Sequence, residues 1–285
     1  MSADAGPWTQ KQRANKFIWN LRLRQFAAIT RLEIRKNFLG LRAILLYLIA
    51  LAPVLLMAVF AIGVAVNSHM QPGELNIIFA NIYELLILRT SVFFGCAWMF
   101  MNLFRGEVVD KSLHYYFLAP VRREVVLAGK YASGFLASAI LFGATTLGCI
   151  FFVYEVPRLV NTNLSPELGT GTALGYLGIT VLGCVGYGAV FLIIGLFFRN
   201  PIIPALVMYG WETINFLLPP VLKKISVVHY LESLKPVRLS EGPFAIVADP
   251  TPVWLSITGL LVFSLLLLVF AGLRIRRLEI KYLGE

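Results

Sequence analysis

Six long apolar runs decide what this 285-residue chain can become. They cover Ala43 to Val66, Ile77 to Phe104, Tyr131 to Tyr154, Gly171 to Phe198, Ile202 to Val221 and Val253 to Leu273. About twenty apolar residues let an α-helix cross the ~30 Å hydrocarbon layer of a bilayer, with every backbone polar group satisfied inside the segment. The expected fold is an all-α integral membrane protein with six transmembrane helices. A membrane β-barrel would show short alternating segments instead. Composition agrees, since 58% of residues are hydrophobic and 14% are charged, against about a quarter charged in soluble domains. The first run starts at Ala43, behind a basic segment, and is too long for a signal-peptide core, so it is read as a retained helix.

The placement of Lys and Arg sets the expected orientation. The net charge is +10, but the bases cluster at the ends of apolar runs, which points to topology and not to a nucleic-acid partner. With the N-terminus inside, nineteen bases fall on the cytoplasmic side and five outside, the twenty-fifth being Arg89 within a run. Both termini are therefore expected in the cytoplasm. This divides the chain into a cytoplasmic tail and amphipathic helix at 1–42, a six-helix domain at 43–273 and a cytoplasmic tail at 274–285. Within the domain lie a cytoplasmic loop at 105–130 and a longer outer loop at 222–252. In the first segment Ile18, Leu21, Ile29 and Leu32 share a helical face, interrupted by Gln25, with Arg24, Arg31 and Arg35 beside it. Such a helix suits the inner membrane surface; residues before Lys16 are expected to form a disordered tail. The outer loop is expected to form one or two short helices, and its "VVHYLESL" is apolar enough to rest on or dip into the outer leaflet.

Ionisable groups inside a span cost at least ~2.5–3.5 kcal/mol at its centre and need partners. Glu84, Arg89 and Glu212 are the three such groups that stand out. Arg89 and Glu212 both fall near the middle of their runs, so a salt bridge between the second and fifth spans is expected. Along the second span, Asn81, Glu84, Leu88, Ser91, Gly95, Trp98 and Asn102 form a stripe too polar for lipid. Regular helical geometry puts Arg89 about 140° from Glu84. On the fifth span Ala205, Met208, Glu212 and Asn215 share a face. Asn81, Glu84, Arg89, Ser91, Glu212 and Asn215 are thus the candidate intramembrane or pathway residues. Glycines at 171, 175, 178, 183, 186, 188 and 195 mark the fourth span for close helix packing.

No residues suggest catalysis. His69, His114 and His229 are isolated, with no metal-ligand spacing. Cys96, Cys149 and Cys184 all fall inside apolar runs, as packing residues would. A phosphate-binding P-loop needs G-x-x-x-x-G-K-[ST]; at Gly129-Lys130, Glu124 replaces the first glycine and Tyr131 the hydroxyl residue. No catalytic, cofactor or metal residue is expected on this chain, and it is not expected to be an enzyme.

The loop "RGEVVDKSLHYYFLAPVRREVVLAGKY" carries the most specific residues. Gly106 permits a break, "KSLHYYFL" forms a short cross-piece, and Pro120 ends it and opens the next helix. Tyr115, Tyr116 and Phe117 in a row fit an interfacial aromatic belt or a protein-docking surface. The stretch resembles the coupling loop of permeases of the ABC type-2 exporter family. In that family an acid-and-glycine stretch ends the second span, a short helix follows, and a proline, Arg-Arg-Glu and Gly-Lys lead into the third. Here these read Glu107, Lys111 to Leu118, Pro120, Arg122-Arg123-Glu124 and Gly129-Lys130. Ser112-Leu113-His114 departs from the threonine-glutamate pair frequent there. The resemblance implies that Glu107, Lys111, His114, Tyr115, Tyr116, Phe117, Leu118, Arg122, Arg123 and Glu124 couple the chain to a cytoplasmic ABC ATPase subunit, which carries ATP-Mg. It implies a permease working as a homodimer or with a related permease, among membrane lipids of the bacterial inner (plasma) membrane, and exporting cargo. Two other readings are a secondary transporter driven by an ion gradient, using Glu84, Arg89 and Glu212, and a non-transporting membrane assembly factor.

Overall fold

A computed structural model describes residues 7–41, 43–66, 72–109, 121–160, 168–198, 200–237 and 252–276. Within them the chain is helical, with no strand. Helix α1 covers Pro7–Leu39, α2 Ala43–Val66 and α3 Pro72–Ile82. A π-helical segment, Tyr83–Val92, joins α3 to α4, Phe93–Val109. Next come α5, Arg123–Ile150, a π-turn at Phe151–Glu155, α6, Val156–Val160, and α7, Thr170–Phe197. Helix α8, Ile202–Thr213, runs into a 3-10 turn, Ile214–Leu217. Two short helices, α9 (Pro220–Lys223) and α10 (Val227–Glu232), precede α11, Val253–Arg276.

Five helical stretches are long and apolar enough to cross a membrane: Ala43–Val64, Glu74–Gly106, Arg123–Glu155, Thr170–Phe197 and Val253–Arg276. They make this a multi-pass membrane protein by length and composition. Their outer faces carry the residues a lipid solvent tolerates, with Leu48, Val59, Ile140, Leu174, Leu266 and Val269 all exposed. The remaining expected span, the fifth at 202–221, is shorter. Its α-helix rises about 18 Å and its 3-10 turn about 8 Å, together less than the ~30 Å core. Pro219 forces Leu218 into extended backbone, ψ 146°, because a residue before proline is driven out of the helical region. The Pro219-Pro220 pair thus ends the helix that apolarity alone carried to Val221.

The core lies where α4, α5 and α7 meet. Glycines on α7 set the spacing. A Cβ on Gly195 would come within 2.7 Å of the Met101 backbone, and one on Gly188 within 2.6 Å of the Phe100 ring. Gly171 and Gly178 face open space, so the packing role expected of the whole series belongs to its second half and to Gly175, which meets Pro236. Cys96, Cys149 and Cys184 are buried and free. Toward the α3 end, Tyr83 donates to the Tyr176 carbonyl (2.8 Å) and shares a hydrogen bond with Thr180 (2.8 Å), which in turn meets Thr146 at 2.9 Å. This hydroxyl ladder ties the π segment, α5 and α7 inside an otherwise apolar interior, where an unmade hydrogen bond is costly.

Proline shapes α2 as well. Pro53 has no N–H, so the Ile49 carbonyl one turn earlier loses its helical donor. The Ser91 hydroxyl supplies a replacement at 3.0 Å. Thr145 likewise donates to the Ala50 carbonyl at 3.1 Å. Neighbouring helices thus satisfy the backbone that proline disturbs, as a bilayer requires.

Helix α1 departs from expectation in two ways. It starts at Pro7, so residues 7–15 are helical rather than part of a disordered tail. The face it packs on the start of α5 carries Phe26, Ile29, Thr30 and Glu33, while Leu21 and Leu32 stay about half exposed. The docked seam is semi-polar, and an apolar stripe could not reveal it.

Candidate functional site

Two charge clusters and the ends of the 105–130 loop are the places where polar chemistry gathers. The first cluster grows from the π segment. There i→i+5 hydrogen bonding replaces i→i+4: the Phe93 N–H reaches the Leu88 carbonyl, and the Thr90 hydroxyl donates to the Leu85 carbonyl at 2.7 Å. Residues five apart then share a face. Arg89 lies over Glu84, donating from Nε (3.2 Å) and Nη2 (2.9 Å) to Glu84 Oε1. This corrects the expectation of opposite faces, which assumed 100° per residue. Arg89 Nη2 also donates to Glu232 Oε1 at 2.9 Å, and Lys235 Nζ meets Glu84 Oε2 at 2.6 Å. Two carboxylates and two bases form a neutral, alternating chain, from 9% exposed at Lys235 to 27% at Glu232.

Arg89 and Glu212 do not pair. Glu212 is buried and serves α10 instead: Oε2 accepts from the Ser226 hydroxyl (2.6 Å) and the Val228 N–H (3.1 Å), and Oε1 from the Val227 N–H (3.0 Å). The first N–H groups of a helix have no internal acceptor and carry its positive dipole end, so a carboxylate from α8 completes them. Among the described residues, buried Asn215, one turn further on, has no hydrogen-bond partner for its Oδ1, and the fully buried Tyr187 hydroxyl also lacks one. Helix α10 was expected on the outer leaflet. It is instead seated in the protein, with Val227 against the Gly186 position and Leu231 beside Gly183.

The remaining stripe residues of the second span serve packing. Ser91 holds Ile49, as described above. Asn81 and Asn102 bond back to the carbonyls one turn earlier, Ile77 (2.8 Å) and Trp98 (2.6 Å). A Cβ on Gly95 would run into the Phe142 ring. The structure brings Glu84 and Arg89 together and leaves Asn81, Ser91, Glu212 and Asn215 in separate settings.

The second cluster stands at the far end of the same helices. Lys130 is fully buried, and its Nζ bonds to Glu33 Oε1 (2.8 Å) and to the Leu103 carbonyl (3.0 Å), above the Phe104 ring. Beside it, Thr30 donates to the Gly129 carbonyl at 3.3 Å, and a Cβ on Gly129 would come within 2.9 Å of Ile29. Gly129 lets α1 approach and Lys130 pins it there. Three elements, α1, α4 and α5, meet at one ammonium group.

Of the loop residues, Lys111, His114, Tyr115, Tyr116, Phe117 and Leu118, together with the Glu107 side chain, lie outside the described residues. At the loop's exit Arg122 is exposed. Arg123 Nη1 donates to two carbonyls of α11, Ile275 (3.2 Å) and Arg276 (3.0 Å). Glu124 pairs with Arg276. Two members of the Arg-Arg-Glu triad thus bind helix α11 of the same chain.

Glu33, Glu232 and Lys235 were not picked out by sequence reasoning. Glu33 had a legible signal, being an acid inside the basic run "RLEIRK". Glu232 and Lys235 lay in a segment expected at the surface, and nothing local marks them. No protein-family model matches the chain, and a search of curated proteins finds no relative.

Proposed function

We propose that this chain is the membrane subunit of an ATP-driven exporter of the ABC type-2 kind, working in the bacterial inner membrane beside a separate ATPase subunit. One observation carries the reading: the helices on either side of the 105–130 loop are bonded to each other and to their neighbours at the loop's base. Lys130 joins α5 to the Leu103 carbonyl of α4 and to Glu33 of α1, while Arg123 and Glu124 tie the start of α5 to the end of α11. A force applied to the cross-piece between them would reach four helices together. That is what a mechanical handle requires, and a flexible connector would need no such bracing. The aromatic run Tyr115-Tyr116-Phe117 supplies the large apolar contact area that docking surfaces favour.

The six-span plan with both ends in the cytoplasm belongs to the same proposal, the short α8 with its 3-10 turn making the fifth crossing. The chain's partner in the membrane would be a second copy or a related permease.

Copurification tests the reading. The chain, purified from its native membrane, is expected to bring down a P-loop ATPase subunit and to stimulate its ATP hydrolysis. Changing Tyr115, Tyr116 and Phe117 together to Ala should abolish both while leaving the membrane domain folded. Transport by the purified chain alone, without nucleotide, would refute it.

A further inference from the structure

A cavity of about 500 Å³ opens between α2 and the π segment. Leu48, Ala52 and Leu56 form one wall, and Leu86 and Phe94 stand opposite. Pro53 and Thr90 also line it, and both fall near the middle of their spans, Ala43–Val64 and Glu74–Gly106. The cavity therefore lies at the bilayer midplane, where the surrounding medium is the ends of lipid chains. Two hydroxyls reach this wall, and both are spent within the protein. Ser91 donates to the Ile49 carbonyl and Thr90 to the Leu85 carbonyl. A cavity that offers no free polar partner does not hold water and takes an apolar guest. Its volume falls in the range of small-molecule sites. The α2 wall from Leu48 to Leu56 rises only about 12 Å, too short a seam for a packed helix from another chain. The rim is open to lipid, with Leu48 59% and Leu56 49% exposed.

We infer that this groove binds one acyl chain of a membrane lipid, entering sideways from the bilayer between α2 and the π segment. The claim does not rest on the permease reading, and holds or fails with no ATPase present.

The test uses the full chain in phosphatidylcholine vesicles containing a trace of phosphatidylcholine with a diazirine near the end of one acyl chain. After illumination, adducts are mapped by peptide mass spectrometry. Adducts on Leu48 to Leu56 and Leu86 to Phe94 are expected at about tenfold the level on the equally deep, exposed face of α11 around Leu265 and Leu266, a preference of about 1.4 kcal/mol. Ala52→Trp should fill the groove and bring labelling down to the α11 level. Thermal unfolding checks that this variant is folded. Ala52→Leu, a smaller filling, gives an intermediate level and serves if the Trp variant does not fold. Equal labelling of groove and α11 in the unmodified chain would overturn the inference. So would disulfide-linked dimers formed efficiently through Leu48→Cys, which would make the occupant a second copy.

Discussion

The Lys130–Glu33 pair and the Lys235–Glu84–Arg89–Glu232 chain do the same job at opposite ends of the molecule, in different surroundings. The first is dry, its two side chains 0% and 4% exposed, with a backbone carbonyl completing the ammonium's partners. The second is four charges long and partly open, and each of its two central members has two partners. Loss of the ammonium takes away Glu33's buried cation and leaves it Lys36, half exposed and longer at 3.6 Å. A chain of alternating charges keeps a partner for most of its members when one is lost.

The comparison can be broken most sharply at Lys130. Lys130→Ala removes Glu33's buried partner and leaves the 3.6 Å contact to half-exposed Lys36, and a loss of about 3 kcal/mol is expected, read by thermal unfolding in detergent and by new protease cleavage within α1. Replacing both partners by Met should restore much of that loss. If the double variant is as unstable as the single, Lys130 matters through its bond to Leu103 rather than through the pair.

Glu212 comes next. Glu212→Ala orphans the Ser226 hydroxyl and two N–H groups of α10, with an expected cost of about 1–3 kcal/mol and faster hydrogen exchange at Val227 and Val228. Arg89→Ala should cost less, about 1 kcal/mol, because Lys235 remains on Glu84 and the cluster is only partly buried. Its cost should shrink further in high salt, while that of Lys130→Ala should not. Equal salt dependence would erase the distinction between the two ends.

The smallest effect is expected from a neutral tie. Ser91→Ala removes the donor to the Ile49 carbonyl, for about 1 kcal/mol. In a Pro53→Ala background the helix regains its own donor, and the Ser91 change should become nearly silent. A double-mutant cycle measures that coupling.

Most of the fold was legible in the apolar runs, because a membrane span is a long, one-dimensional signal. Five of six appear as long helices, and the stretch 202–221 forms a shorter one because Pro219-Pro220 overruled hydropathy. The polar contacts were harder to read. Glu84 and Arg89 were identified as ionisable groups needing partners, but their pairing depends on the switch to π geometry, and no periodicity rule written for 100° per residue foresees it. Glu212 was identified too, and its partner proved to be backbone N–H groups, which have no signature in sequence. Lys130 was noticed as part of a motif, while its partner Glu33 lies 97 positions away.

Helix α10 links two stretches of the chain that are far apart in sequence. It is a six-residue rod with α8 bonded to its first turn through Glu212 and the π segment bonded to its last residue through Arg89 and Glu232. A rod pinned at both ends passes on pull as well as push. Sliding α8 along the membrane normal must drag Tyr83–Val92 with it or snap one of the two pins, so these distant stretches of chain form a single moving part.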